Sequence, residues 1–346
     1  MTKPQPGATT PPPAAALPRR TPWLGWVQNA IGVAILAGFG YYLWAHRDHF
    51  TSVLEVSVGE VAAMAALVLL TFVVASGQSF TLYRAAGVKI SFVDNFLLAL
   101  TAYFGNYLPM RAGTLVRARY LKAVHGLRYA RFVSVNGIRM VITLVATGVM
   151  GLVGTVGVAM GGGELSVPLL SVFLAFALTP CTVLLLRVPE RREGMGRLRR
   201  ILTDAAEGFA DLRRQPIVSL VVLALTLVQH ASVGCRFYIA AGATGSPPSA
   251  VVVVLLAPLA ALAGFAAVTP GGIGLREALM GYATHAIGES FATGVYVGTV
   301  DRAVLVGMVA LAGGPSFLWV WARVRRADPM EVPAATADQT PSAAER

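Results

Sequence analysis

The sequence predicts an all-α, polytopic integral membrane protein, with about six full spans and two re-entrant hairpins arranged as an inverted repeat. Three observations predict it. The chain of 346 residues is 55% hydrophobic and only 13% charged, with a mean hydropathy of +0.65, which is far more apolar surface than one soluble core uses. Its apolar runs reach the ~20 residues that a helix needs to cross a bilayer. Its Lys and Arg fall in clusters separated by linkers without basic residues, as the positive-inside rule requires of a multi-pass chain. The net charge of +11 has the same origin. No basic stripe lies on a soluble domain, so nucleic acid is not an expected partner.

The elements follow in chain order. Residues 1–21, "MTKPQPGATTPPPAAALPRRT", are too rich in Pro and small residues to pack and read as a disordered cytoplasmic tail. The first span, Trp23 to Trp44, is preceded by Arg19 and Arg20 and followed by no small-residue cleavage pattern, so it is an anchor and not a signal peptide. The second span runs from Val58 to Tyr83, with Arg84 and Lys89 after it. An apolar segment from Phe92 to Tyr107 leads into the basic stretch Arg111 to Arg131, and the third span runs from Phe132 to Met160. The linker "MGGGELS" carries no Lys or Arg; the fourth span, Val167 to Leu186, is followed by eight Arg between Arg187 and Arg214. The fifth span is Ile217 to Ala240. The uncharged "GATGSPPS" leads to an apolar segment, Ala250 to Val268, and the last span, Thr293 to Trp321, ends at "RVRR" from Arg323. Residues 327–346 form a second polar tail. Cys181 and Cys235 lie in apolar runs and read as small core residues, with no disulfide or metal spacing.

Charge fixes the topology. Arg84 and Lys89 belong inside, and so does the basic stretch up to Arg131; residues 92–131 therefore enter and leave on one face. In the second part, "GATGSPPS" belongs outside and Arg323 inside, so residues 250–290 enter and leave from the other face. Membrane half 22–160 and membrane half 161–326 each read as span, span, hairpin, span, with opposed orientation and both termini cytoplasmic. Three echoes in the same order support the repeat: "YRAAGVKIS" with "YIAAGATGS", "LPMRAGTLVR" with "TPGGIGLRE", and "GIRMV" with "VDRAV".

The hairpin tips carry the chemistry. Pro109 and Pro270 stop a helix, and Gly113, Gly271, Gly272 and Gly274 allow the turn and close packing that restart it. Non-helical backbone at this depth must be buried in protein or line a wet cavity. A restarted helix presents free N–H groups and its positive dipole end, with Arg111 and Arg117 or Arg276 within two turns. Such a tip suits a phosphate. Arg117 and Arg119 point to different sides of one helix; Lys122, Arg128 and Arg131 hold topology or touch anionic headgroups. Arg139 lies on the order of 12 Å into the third span, and Arg302 sits as deep in the last. Intramembrane Arg faces a partner or a cavity. Asp301 adjoins Arg302 but points elsewhere, so each pairs across helices, with Glu277 the other acid within reach. Two readings of Arg302 and Glu277 stay open, a structural ion pair and direct substrate contact. Gln78, Gln229, His230 and Arg236 are also intramembrane or near it, and His230 reads as a helix-packing hydrogen bond.

"GNYLPMRAGTLVRARYL" followed by "VTPGGIGLREALM" resembles the flippase-like membrane family that includes the transmembrane region of lysylphosphatidylglycerol synthetase/flippase proteins. The resemblance covers Trp23 to Arg326. It implies a bacterial inner-membrane protein that moves, or helps move, a polar lipid between leaflets. Carried over by position, the first motif falls on Asn106, Pro109, Arg111, Gly113 and Arg117, and the second on Pro270, Gly271, Gly272, Gly274, Arg276 and Glu277. Asn106, Arg111, Arg117, Arg139, Arg276, Glu277, Asp301 and Arg302 are thus the candidate substrate-binding residues. There are two departures. Ile138 stands where the family often has an acid before the intramembrane Arg, and only polar residues 327–346 follow the membrane part, so the chain is not expected to synthesise that lipid. No G-x-x-x-x-G-K-[ST] loop occurs, so transport would be passive, ion-coupled or partner-driven. Membrane lipids are the expected partners, with a lipid-synthesis enzyme or a second copy as further ones. No cofactor and no enzymatic activity are expected, because five scattered His and no convergent acids make no catalytic cluster. The expected function is a lipid translocase; the alternative is a scaffold for envelope-lipid synthesis that binds lipid without moving it.

Overall fold

The computed structural model describes residues 41, 44, 45, 56–107, 112–179, 215–242, 249–266, 272–286, 288 and 290–327, and among them regular structure is entirely helical. The elements are α1 (Val58–Ala85), α2 (Phe92–Gly105), α3 (Ala112–His125), α4 (Tyr129–Met160), α5 (Val167–Ala177), α6 (Pro216–Gly242), α7 (Ala250–Ala266), α8 (Leu275–Ala286), α9 (Phe291–Met308), a π-helical turn (Val309–Gly313) and α10 (Gly314–Ala327). Four stretches are long and apolar enough to cross a membrane: α1, α4, α6 and the continuous run Phe291–Arg326. α2, α5 and α7 are apolar but shorter. The chain is therefore a polytopic, helical membrane protein. Most of the first expected span, the fourth beyond Thr179, the eight-Arg linker and both tails lie outside the described residues.

Local chemistry sets the helix starts. Ser57 and Glu60 form a reciprocal capping box at α1, with Glu60 N–H donating to Ser57 Oγ at 3.2 Å and Ser57 N–H to Glu60 Oε2 at 2.8 Å. Ser91 and Ser290 accept from the N–H of Asp94 and Thr293 at the starts of α2 and α9. The π turn ends two residues before Pro315. That residue lacks the N–H that would bond to Leu311, and its ring crowds the same carbonyl, which widens the turn.

α1 and α6 pack along one another, with α9 against both and α4 against α6. Small residues bring backbones together, as expected where apolar burial cannot drive association. A Cβ on Gly154 of α4 would sit 2.8 Å from Leu255 Cα of α7, and one on Gly113 of α3 would sit 2.7 Å from the Ala102 carbonyl of α2.

The two short helix pairs fold back on themselves. Near the open end of the first pair, Arg323 of α10 reaches both Asp94 on α2 at 3.2 Å and Tyr120 on α3 at 3.4 Å. Lys122 of α3 lies over the Tyr129 ring at the start of α4, 4.7 Å from its centroid. The second pair opens at the far end of α4: Gly157 approaches Val251 at the start of α7, and residues Gly162 to Ser166 share a cleft of about 600 Å³ with Tyr282, His285 and Gly288 at the end of α8. At 1.5 Å per residue α4 is roughly 48 Å long, so the two pairs open towards opposite ends of the bundle. α2 also packs on α10, and α7 on α4.

The outer surface is apolar. Leu69, Leu70 and Val73 on α1, Val149 and Val153 on α4, and Leu220, Leu227 and Val228 on α6 are exposed, a band suited to lipid. Cys235 belongs to this outer side: it is exposed, contrary to its expected place in the core. An apolar run fixes membrane insertion but not which side faces inward, since lipid is as apolar as a core. Cys181 lies outside the described residues.

Candidate functional site

The second tip is an ionic lattice in which Arg276 Nε is the one buried side-chain donor without a partner among the described residues. The chain turns into α8 through Gly272 (φ 72°) and Gly274 (φ 84°), left-handed conformations that only glycine adopts without strain. Gly274 N–H, one of the free donors at this helix start, donates to Glu277 Oε2 at 2.7 Å. Arg302 donates from Nε to Glu277 Oε1 at 3.1 Å and from Nη2 to the Gly272 carbonyl at 3.2 Å, with Nη1 reaching Tyr107 Oη at 3.5 Å. The structural ion pair between Arg302 and Glu277 is therefore formed, and the helix terminus that was expected to attract an outside anion is capped by the chain's own carboxylate.

Asp301 holds the other arginines. It is fully buried and accepts from Arg236 Nε at 2.6 Å, Arg236 Nη2 at 3.4 Å and Arg276 Nη2 at 2.5 Å. Arg236 also donates from Nη1 to Thr71 Oγ1 at 3.1 Å, which ties α6 to α1. Arg276 lies over the Phe237 ring, 5.2 Å from its centroid. Adjacent positions on α9 thus serve different neighbours, as their helical spacing predicts: Asp301 binds α6 and the first turn of α8, Arg302 the glycine turn and Glu277.

The first tip has the opposite balance. Arg117 on α3 is only 4% exposed, and its Nε and Nη2 have no hydrogen-bond partner among the described residues. Its guanidinium stands 5.1 Å from the centroid of the Tyr83 ring, a cation–π contact and not a countercharge. Arg139 on α4 is half-buried and is a like charge within electrostatic reach of Arg117. Tyr103, packed on Phe72 with ring centroids 4.9 Å apart, lies within reach of Arg117, Arg139 and Arg236 together and accepts weakly from Gln229 Nε2 at 3.5 Å. Gln78 completes this polar seam by donating to Gln229 at 2.9 Å. Asn106 caps the end of α2 and is exposed. Gly113 sets the close crossing of α2 and α3. Pro109, Arg111, Pro270 and Gly271 lie outside the described residues.

Among the described residues Asp301 and Glu277 are thus shared by Arg236, Arg276 and Arg302, and neither is paired with Arg117 or Arg139. His230 takes no part: its ring joins Thr147 at 3.1 Å and the Thr226 carbonyl at 2.9 Å, a hydrogen bond between α6 and α4 as expected.

Residues 29–313 match the family model described as the lysylphosphatidylglycerol synthase TM region. The chain belongs to this family. No curated protein and no solved structure matches it. The lysylphosphatidylglycerol synthase TM region as matched here takes in both tips and all five arginines, and it ends at the π turn.

Three members of the arrangement had little or no signal in sequence. Arg236 stood out only as an ionisable residue in a span, although an intramembrane Arg calls for a partner by default and Asp301 was available. Thr71 and Tyr103 are common residue types in apolar helices, and nothing in their spacing separates them from packing residues.

Proposed function

We propose that the chain is an inner-membrane lipid translocase, which moves a phosphate-bearing headgroup between leaflets while the acyl chains remain in the bilayer. The observation that carries this reading is the buried surplus of positive charge. An apolar-surfaced bundle that leaves Arg117 and Arg139 without a carboxylate among the described residues lowers its free energy by admitting an anion, and phosphate oxygens suit guanidinium donors. Membership of a family described as the lysylphosphatidylglycerol synthase TM region supports a role in lipid handling.

In this account the short pairs α2–α3 and α7–α8 are re-entrant hairpins of an inverted repeat. Two features support that reading: the pairs open towards opposite ends of the bundle, and α2 and α3 have 14 residues each, short of the ~20 that a full span needs. The headgroup passes between the tips, and rocking of one repeat against the other changes the open side. Both termini are then cytoplasmic.

The test is leaflet exchange of fluorescent phospholipids in proteoliposomes, comparing wild type with Arg117→Ala, Arg276→Ala and the double variant. Protein-dependent exchange that falls in the variants at equal reconstitution is the expected result. Absence of exchange for anionic, zwitterionic and aminoacylated lipids, in protein that is folded and reconstituted, assigns the chain to the scaffold role instead.

A further inference from the structure

The two tips can be compared position by position. From Pro109 and Pro270 the first glycine of matching spacing is Gly113 and Gly274, and three residues later stand Val116 and Glu277. In the following long helices "GIRMV" corresponds to "VDRAV", so Arg139 corresponds to Arg302 and Ile138 to Asp301. Both carboxylates of the second tip therefore have apolar counterparts at the first, and both counterparts are buried, Val116 at 7% exposure and Ile138 at 4%.

We infer that the first tip is the anion-binding site of the protein, and that a phosphate group held by Arg117 and Arg139 supplies the negative charge that Glu277 and Asp301 supply at the second. This rests on the translocase reading and narrows it: the tips are not equivalent, and the substrate's phosphate is held at one of them. Arg117 is more than nine-tenths buried with two unpartnered nitrogens, a costly state unless a ligand takes those donors. Arg139 adds a second donor group on the neighbouring helix, and the Tyr103 hydroxyl, which accepts from Gln229 Nε2 at 3.5 Å, lies within electrostatic reach of both arginines. At the second tip most donors of the same kind are consumed internally, since Asp301 accepts from Arg276 and Glu277 accepts from Arg302 and Gly274 N–H; Arg276 Nε alone of that tip's buried side-chain donors has no partner among the described residues. The ligand class is a phosphate ester or diester, and Arg276 is a positioning residue for the lattice that closes the opposite end.

The experiment measures equilibrium binding to the full-length protein in a non-ionic detergent, read as the ligand-induced shift of each variant's own thermal midpoint. The probes are phosphatidic acid and phosphatidylglycerol, with diacylglycerol as the lipid without phosphate and inorganic phosphate and pyrophosphate as the free anions. Arg117→Gln, Arg139→Gln and Ile138→Asp are each expected to weaken binding of the phosphate-bearing probes roughly tenfold or more, because each removes a charge-assisted donor or inserts the missing carboxylate. Lys89→Gln, which removes an exposed positive charge between α1 and α2, leaves the affinity at the wild-type value and excludes a net-charge effect. Because Arg139 is half-buried, its replacement keeps the inference testable if Arg117→Gln fails to fold. Binding of lipids alone assigns the site to headgroups delivered with their acyl chains; binding of phosphate or pyrophosphate as well assigns it to any phosphate-type anion. Either pattern supports the site provided it is lost in the variants. Wild-type affinity in Arg117→Gln or Arg139→Gln, or no binding of any phosphate-bearing probe, overturns it. Leaflet exchange separates the two claims: exchange with unaffected binding sinks the site and leaves the translocase, whereas Arg-dependent binding without exchange does the reverse.

Discussion

Asp301→Asn is the most informative single perturbation of the bundle. The carboxylate is fully buried and accepts three hydrogen bonds from two guanidinium groups whose side chains are 2% and 8% exposed. Asparagine keeps the shape, removes the charge, and turns an NH₂ group towards a cation. Arg236 keeps Thr71 as a neutral acceptor, while Arg276 loses its carboxylate. Removing one partner of a buried ion pair costs about 3–5 kcal/mol, because the remaining charge is left without compensation. The assay is the thermal midpoint of the purified protein in detergent, and a clear drop is expected. Arg276→Gln in the same background removes one of the stranded cations and recovers part of the loss, with a coupling of roughly 0.5–3 kcal/mol in a double-mutant cycle. A midpoint for Asp301→Asn equal to that of wild type would refute the role given to this carboxylate as the counter-ion of both arginines.

Gly113→Ala places a Cβ 2.7 Å from the Ala102 carbonyl and 2.9 Å from Gly105 Cα; both are backbone atoms, so α2 and α3 must separate at a cost of about 1–3 kcal/mol, seen as a lower thermal midpoint and reduced exchange. Thr147→Val removes the 3.1 Å partner of His230 Nε2 and destabilises by about 1–3 kcal/mol, whereas Thr147→Ser, which keeps the hydroxyl, does not. Single cysteines at Arg128 and His285, in a background lacking Cys181 and Cys235, are expected to react with a membrane-impermeant thiol reagent from the cytoplasmic and the outer face respectively; labelling of both from one face contradicts the opposed hairpins.

The class of the protein was legible because insertion depends on length and apolarity, which are local properties of a run: α1, α4, α6 and the Phe291–Arg326 stretch lie close to their expected boundaries. Helix sidedness was less legible. Cys235 and Arg236 are neighbours in one apolar helix, yet one faces outward and the other is buried in the ionic core. In the site, the pairing of Arg302 with Glu277 could be anticipated, since a buried charge needs a partner and few acids were available. That Asp301 would bind Arg236 as well as Arg276 depended on how α6 is rotated against α9, a tertiary fact with no sequence period of its own. The imbalance between the tips was half visible in Ile138, and became a statement about charge only once Val116, Glu277 and Asp301 had positions.

The most direct test of the translocase account is exchange of a phosphate-bearing lipid and of an uncharged glycolipid through the same proteoliposomes, for wild type and Arg117→Gln. The account predicts faster protein-dependent exchange of the phosphate lipid and loss of that advantage in the variant. Equal exchange of the two lipids, or a phosphate preference that survives Arg117→Gln, would contradict it.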